Sequence, residues 1–191
     1  MTDPGDFTKN PEKETSLSAV LITHEHGDHL HVESLRKVLA NNSDATVVTN
    51  TAVGKILEAA GIAYTKVEDG TSLDVEGVKI TGFGDLHAEI YEKLGQVQNT
   101  GYMIENLCYP GDSFNMPSGK VDILALPVAG PWMRMKDALL YAKALKPRTS
   151  FPVHDAFIHD WASFIYKLPT TVLGPEGIGF KRLELGKEMD L

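Results

Sequence analysis

The chain has 191 residues, 42% of them hydrophobic, which is enough for one good core and gives no sign of two, so a single domain over 1–191 is expected. Acidic residues outnumber Lys and Arg by 26 to 18, and the formal charge of −8 repels a phosphate backbone, which argues against a nucleic-acid partner. The lone cysteine, Cys108, excludes an internal disulfide and fits a cytoplasmic setting, while a polar start and the lack of a long apolar run argue against a signal peptide and a membrane partner.

Taken in order, residues 7–16 are polar, contain Pro11 and read as a loop. The first strand is expected at 18–23, where Ala19, Val20, Leu21 and Ile22 do not alternate with polar residues, so both faces are buried. Directly after it comes His24-Glu25-His26-Gly27-Asp28-His29. An extended chain points alternate side chains to one face, so His24, His26 and Asp28 project together as the strand ends. Gly27 removes a side chain where the backbone bends, and His29 follows the turn. Imidazole and carboxylate donors suit zinc, iron or manganese. Four ligands this close cannot all reach one ion without strain, so two divalent ions are expected, zinc first, with manganese or iron as alternatives.

Residues 32–39 carry an apolar stripe, Val32, Leu35, Val38 and Leu39, and read as a helix stopped by Asn41-Asn42. A strand at 45–49 leads to Asn50 or Thr51 as the cap of a helix that ends at Gly61. This strand-helix rhythm implies parallel pairing through crossovers. The pattern then changes: 63–67, 72–75 and 78–83 are short strands split by Asp69-Gly70 and Glu76-Gly77, an expected antiparallel meander with His87 just beyond it. Residues 88–97 read equally as a helix or as a mobile loop over the site. A hairpin of 100–104 and 107–109 around Glu105-Asn106 delivers Asp112. A second strand buried on both faces is expected at 121–127, then a helix at 135–145 broken by Pro147, and a strand at 149–153 that delivers His154. An amphipathic helix at 156–168, with Phe157, Trp161, Phe164 and Ile165 facing in, and a strand at 179–185 complete an α/β chain of two sheets flanked by helices.

The sequence His-x-His-x-Asp-His resembles the signature of the metallo-β-lactamase superfamily of metal-dependent hydrolases. The family's later ligands are matched in order by His87 in Gly84-Asp85-Leu86-His87, Asp112 in Pro110-Gly111-Asp112-Ser113 and His154 in Phe151-Pro152-Val153-His154. The run Leu126-Pro127-Val128-Ala129-Gly130-Pro131, with Lys146-Pro147 after the next helix, looks most like the ascorbate-6-phosphate lactonase branch. Asp3-Pro4-Gly5-Asp6 resembles a turn that relatives carry at the end of their N-terminal strands, so the chain looks like the family's four-layer αββα sandwich without its opening strands.

The resemblance implies one metal on His24, His26 and His87, a second on Asp28, His29 and His154, and Asp112 bridging them. It implies hydrolysis of a small ester, lactone or phosphodiester, expected to be anionic, by a hydroxide shared between the metals, with Asp28 also orienting that hydroxide. The alternative function is a metal-binding but catalytically weak paralogue that acts within an assembly. A tRNA-processing nuclease is disfavoured by the net charge, and a flavodiiron-type redox site by His26, where those proteins carry Glu.

Blander readings attach to the remaining candidates. His31 could return to the cleft as a catalytic proton donor, or cap a helix facing solvent; His159 is better read as structural. Asp155 is read as the cap of the following helix rather than as a partner of a ligand imidazole, and Cys108 as a small buried hydrophobe. Trp132, Met133 and Met135 either wall the substrate pocket or pack in the core. Missing strands expose a sheet edge and an apolar face, so a homodimer is expected to cover them.

Overall fold

The computed structural model describes residues 1–159, 161–184 and 186–187. A three-stranded parallel sheet is built from β1 (Ala19–Leu21), β2 (Thr46–Thr49) and β3 (Thr65–Lys66), with Val20 opposite Val47 and Val48 opposite Thr65. The crossovers between them are α1 (Val32–Asn41) and α2 (Thr51–Ala59), as the rhythm of the sequence requires. Asn50 caps α2 by accepting from the Val53 N–H at 3.1 Å, and its Nδ2 reaches the Thr23 carbonyl at 2.8 Å, tying the helix to the strand end that carries His24.

The second sheet has seven strands: β4 (Ser72–Val75), β5 (Val78–Phe83), β6 (Gly101–Ile104), β7 (Leu107–Tyr109), β8 (Ile123–Pro127), β9 (Thr149–Val153) and β10 (Gly179–Phe180). Its spatial order is that of the chain throughout, β4-β5-β6-β7-β8-β9-β10 from edge to edge. β4 to β7 pair antiparallel, and β7 to β10 pair parallel. α3 (Met135–Leu145) and α4 (Phe164–Leu173) cover its outer face.

The layers follow from alternation along each strand. Val20, Ile22 and Val47 pack on Leu35, Val38, Val53 and Leu57 of the first helix pair, whereas Leu21 and Val48 turn the other way onto Ile80 and Tyr102 of the second sheet. Cys108, Leu124 and Leu126 face Ala138, Tyr141 and Leu173. The order is therefore helices, sheet, sheet, helices, the four-layer arrangement expected. No helix among the described residues is long and apolar enough to cross a membrane.

Two expectations are corrected. β3 does not open an antiparallel meander: it pairs in parallel with β2, and the chain crosses to the second sheet just after it. The Asp69-Gly70 turn serves that crossing, where Gly82 lets the Glu68 carbonyl approach to a place a Cβ would occupy, 2.4 Å away. The amphipathic helix expected at 156–168 instead starts at Phe164, and buries Tyr166, Pro169 and Leu173 rather than Phe157, Trp161 and Phe164. The apolar spacing there was read as a core face, but Ala156 and Phe157 line a cavity instead. Asp160 and Leu185, within the expected last helix and strand, lie outside the described residues. Residues 88–97 form no regular element, leaving the loop reading.

The main chain of Met1 to Asp3 runs beside β1, with the Leu21 N–H donating to the Met1 carbonyl at 3.0 Å and the Asp3 N–H to the Leu21 carbonyl at 2.8 Å. The edge of β1 is thereby paired, and Asp3 is brought to the strand end where the histidines begin.

Candidate metal centre

His24 to His29 follow β1, His87 follows β5, Asp112 follows β7 and His154 follows β9, so the ligand candidates converge from both sheets beyond their strand ends. All seven come together: His24, His26 and His87 form one group, His24, His29 and Asp112 a second, and Asp28, His29 and His154 a third. Within each group the donor atoms lie within 4.8 Å of one another. Asp112 is the hub, with Oδ1 3.2 Å from His29 Nε2, and Oδ2 3.3 Å from His87 Nε2 and 3.1 Å from His154 Nε2. His154 Nε2 is also 3.3 Å from Asp28 Oδ2.

Three of the histidines, His24, His29 and His87, are oriented through their outer nitrogens. His87 Nδ1 donates to the Ala88 carbonyl. The Thr23 hydroxyl donates to Asp3 at 2.8 Å, so it accepts from His24 Nδ1 at 3.0 Å. His29 Nδ1 donates directly to Asp3 at 2.8 Å. In each ring this leaves Nε2 aimed into the cluster, the arrangement in which a second hydrogen bond orients a ligand imidazole.

Asp3 is the residue that sequence reasoning missed. Its carboxylate also accepts from the Thr23 N–H at 2.7 Å and the Tyr109 hydroxyl at 2.9 Å, joining the first strand, the ligand loop and β7. Neighbouring Gly5 lies where a Cβ would fall 1.8 Å from the Asp28 carbonyl oxygen, so the turn seats directly against the ligand loop. The Asp-Pro-Gly-Asp turn was visible in the sequence; its partners, 20 to 106 positions away, were not. Asn99 was missed as well: its Oδ1 accepts from the Asp112 N–H at 3.0 Å and fixes the turn through Gly111, whose φ of +62° suits glycine.

The cluster fits a cation on its own chemistry. Nε2 of His24, His29, His87 and His154 and Oδ1 of Asp112 are buried and have no hydrogen-bond partner. Ion-pair distances link these atoms, yet none of the contacts has hydrogen-bond geometry. Such a concentration of orphaned donor atoms is costly unless something fills it. Ligands at about 2.0–2.2 Å from one small ion sit roughly 3.3 Å apart, the spacing seen around Asp112.

Charge in the metal-free protein follows the same geometry. Burial, then the neighbouring His29, lowers the pKa of His24 to about 2. Burial opposes protonation of His29, but Asp3 and Asp112 outweigh it and hold its pKa up at about 10. Burial likewise opposes His154, which Asp112 and Asp28 raise to about 9. Contact with His154 lowers Asp28 to about 2, and Asp112 lies far below the usual carboxylate range because burial is outweighed by His154, His29 and His87. The raised histidines contribute stability that is fully present below about pH 6.5 and is lost as pH climbs from there to about 9 to 10. The lowered His24 and aspartates contribute stability that is lost as pH falls from about 6.5 towards 2. The melting temperature with chelator present is therefore expected to peak near pH ~6.5 and to fall towards both pH ~9 and pH ~4; a calorimetric maximum below pH ~5 or above pH ~8 would contradict these assignments.

His31 does not join the cluster. It is exposed at the N-cap of α1, with Nδ1 2.9 Å from Ser34 Oγ. His159 is exposed and stacks on Trp161, with ring centroids 6.0 Å apart. Asp155 caps no helix, since α4 begins nine residues later; it accepts from the Tyr166 hydroxyl at 3.0 Å. Cys108 is fully buried against Tyr141, and burial pushes its thiol up to about 12, as suits an inert hydrophobe. Trp132 stands edge-on to His87 and His154, 5.9 and 6.2 Å between centroids, and walls the site; Met133 and Met135 pack in the core beneath α3. A cavity of about 200 Å³ opens beside Asp28, His29, Asp112 and His154.

Comparison with known proteins gives a consistent result. Residues 1–154 match the beta-lactamase superfamily domain. Protein Rv0786c of Mycobacterium tuberculosis is 33% identical over 170 residues, 86% of this chain and 79% of that protein. A UPF0173 metal-dependent hydrolase of Thermococcus onnurineus is 29% identical over 175 residues, 80% of this chain and 72% of its own length. A solved structure from Parabacteroides distasonis shares the fold with a TM-score of 0.75 at 22% identity, covering 96% of this chain and 84% of that one.

Proposed function

Since the chain belongs to the metallo-β-lactamase superfamily of metal-dependent hydrolases, we propose that it holds two divalent metal ions and hydrolyses a small ester, lactone or phosphodiester. The observation that carries this reading is the convergence of four orphaned Nε2 atoms on the Asp112 carboxylate, which reaches histidines of both expected ligand triads. His24, His26 and His87 would hold one ion and Asp28, His29 and His154 the other, with Asp112 between them. Bound there, the ions would supply Lewis acidity, activating water and polarising the scissile bond.

The chain's own groups do the rest. Asp28, partly open towards the cavity and ionised, accepts an O–H of the attacking water and sets its direction. Trp132 and the buried side of the cluster keep bulk water from the ligand rings. The expectation of an anionic substrate finds no support in the cavity, whose described lining includes no lysine or arginine. The lactonase-like branch rests on Leu126-Pro127-Val128-Ala129-Gly130-Pro131, which carries Trp132 over the site.

Elemental analysis of the protein as purified, with turnover of p-nitrophenyl acetate, a γ-lactone and bis(p-nitrophenyl) phosphate, tests the reading. The expected result is about two metal ions per chain and hydrolysis of at least one substrate. Fully loaded protein without turnover of any of them overturns it and leaves a metal-binding protein. A homodimer is proposed as well, on the strength of exposed Trp161, Phe164 and Leu168 along one stretch; light scattering at low micromolar concentration is expected to give twice the chain mass, and a monodisperse monomer rejects it.

A further inference from the structure

The cavity beside the histidines is walled by carbon on one side and by carboxylates on the other. Phe7, Val153, Ala156 and Phe157 supply the apolar wall. Phe7 and Phe157, from opposite ends of the chain, are 53% and 46% exposed, although such rings are ordinarily buried. Besides the two histidines, the ionisable lining is Asp3, Asp28, Asp112, Asp155 and the buried phenol of Tyr109, with no lysine or arginine among the described residues. Lys9, next to Thr8 of the lining, does not line it.

Asp3, Asp28 and Asp112 are committed to the histidine cluster, so an anionic group remote from the scissile bond would lie beside Asp155 and the phenyl rings with no lysine or arginine to receive it, an unfavourable placement. An uncharged ring or branched chain would instead cover the exposed phenyl faces. An apolar cavity of about 150 Å³ suffices to hold benzene, so the space here admits one substituted ring.

Resting on the hydrolase reading above, we propose that the substrate is an uncharged carboxylic ester or lactone with one aromatic ring or a branched aliphatic group of similar size, seated between Phe7 and Phe157. Its hydrolysis forms a C–O bond from water to the acyl carbon and breaks the acyl C–O bond. One proton of the water leaves with the alcohol and the other is released from the acid, and no oxidant or reductant is required.

The test pairs phenyl acetate with 4-acetoxybenzoate, which differs by a remote carboxylate and has the better leaving group. Zinc-loaded protein is expected to favour phenyl acetate in kcat/KM by about tenfold or more. Phe7→Ala, on a segment with no metal ligand, should lower kcat/KM for phenyl acetate about tenfold, chiefly through KM, with metal content unchanged. A second readout needs no turnover: isothermal titration of metal-free protein with benzamide and with 4-carbamoylbenzoate, of which only benzamide should bind. Equal or better handling of the charged member of either pair, or an unchanged kcat/KM for phenyl acetate in Phe7→Ala, overturns the proposal while leaving the hydrolase reading intact. Binding of benzamide without turnover of either ester supports the ligand class and overturns the hydrolase reading; loss of both overturns both.

Discussion

Asp112→Ala should remove metal and activity together. The carboxylate lies 3.1 to 3.3 Å from three imidazoles that reach it from both expected triads, so its loss leaves those nitrogens with no shared anion and, in the proposed two-metal centre, would leave two cations with no bridge between them. Two dications held as proposed would repel strongly without that neutralisation, and one of them is expected to leave. The loss in kcat/KM should be on the order of 10³-fold, equivalent to about 4 kcal/mol of transition-state stabilisation. Cys108→Ala is the matched control, since it removes a buried thiol that touches Tyr141 rather than the site and should cost about 1 kcal/mol of stability without touching metal content. Equal metal stoichiometry in the two variants, by elemental analysis, would reject the bridging role.

Asp3→Ala should be the most damaging change among residues that hold no metal themselves. It strands the Thr23 N–H, the Tyr109 hydroxyl and His29 Nδ1, all at least partly buried, at roughly 1–3 kcal/mol for each unsatisfied group. It also frees the rings of His29 and, through Thr23, of His24, so affinity for zinc should fall by about 10–100-fold. Tyr109→Phe deletes one of these contacts and leaves the histidine links intact, so it should destabilise without weakening zinc binding. Chelator competition and thermal melts separate the two effects. Wild-type zinc affinity in Asp3→Ala would mean that the carboxylate does not orient the ligands.

The contrast between these two aspartates shows what the sequence carried. Asp112 was legible because the turn that carries it is local and matches the family's Gly-Asp turn after a short strand, with Gly111 at positive φ. The same locality explains why 72–75, 78–83, 107–109, 135–145 and 149–153 were read with their observed bounds. Asp3 was not legible because its role is set by partners that only tertiary folding supplies. β3 was misplaced for a related reason: a two-residue strand beside a turn dipeptide has no local preference for one sheet over the other, and burial of Val67 between the sheets decides it. At 156–168 the apolar period was genuine, but periodicity cannot tell a core-facing side chain from one that lines a cavity.

The division of the seven ligands between two sheets also bears on how the molecule comes apart. The interior between the sheets, Leu21, Val48, Val67, Ile80 and Tyr102, is the smallest of the three buried clusters. Each sheet has its own larger core on the helix side, so each half has a basis for holding together alone. With metal bound across both, as proposed, hydrogen exchange in the two halves is expected to be coupled into one opening event. After chelation the weak seam becomes the line of separation, and amides of the small sheet exchange before those of the large one.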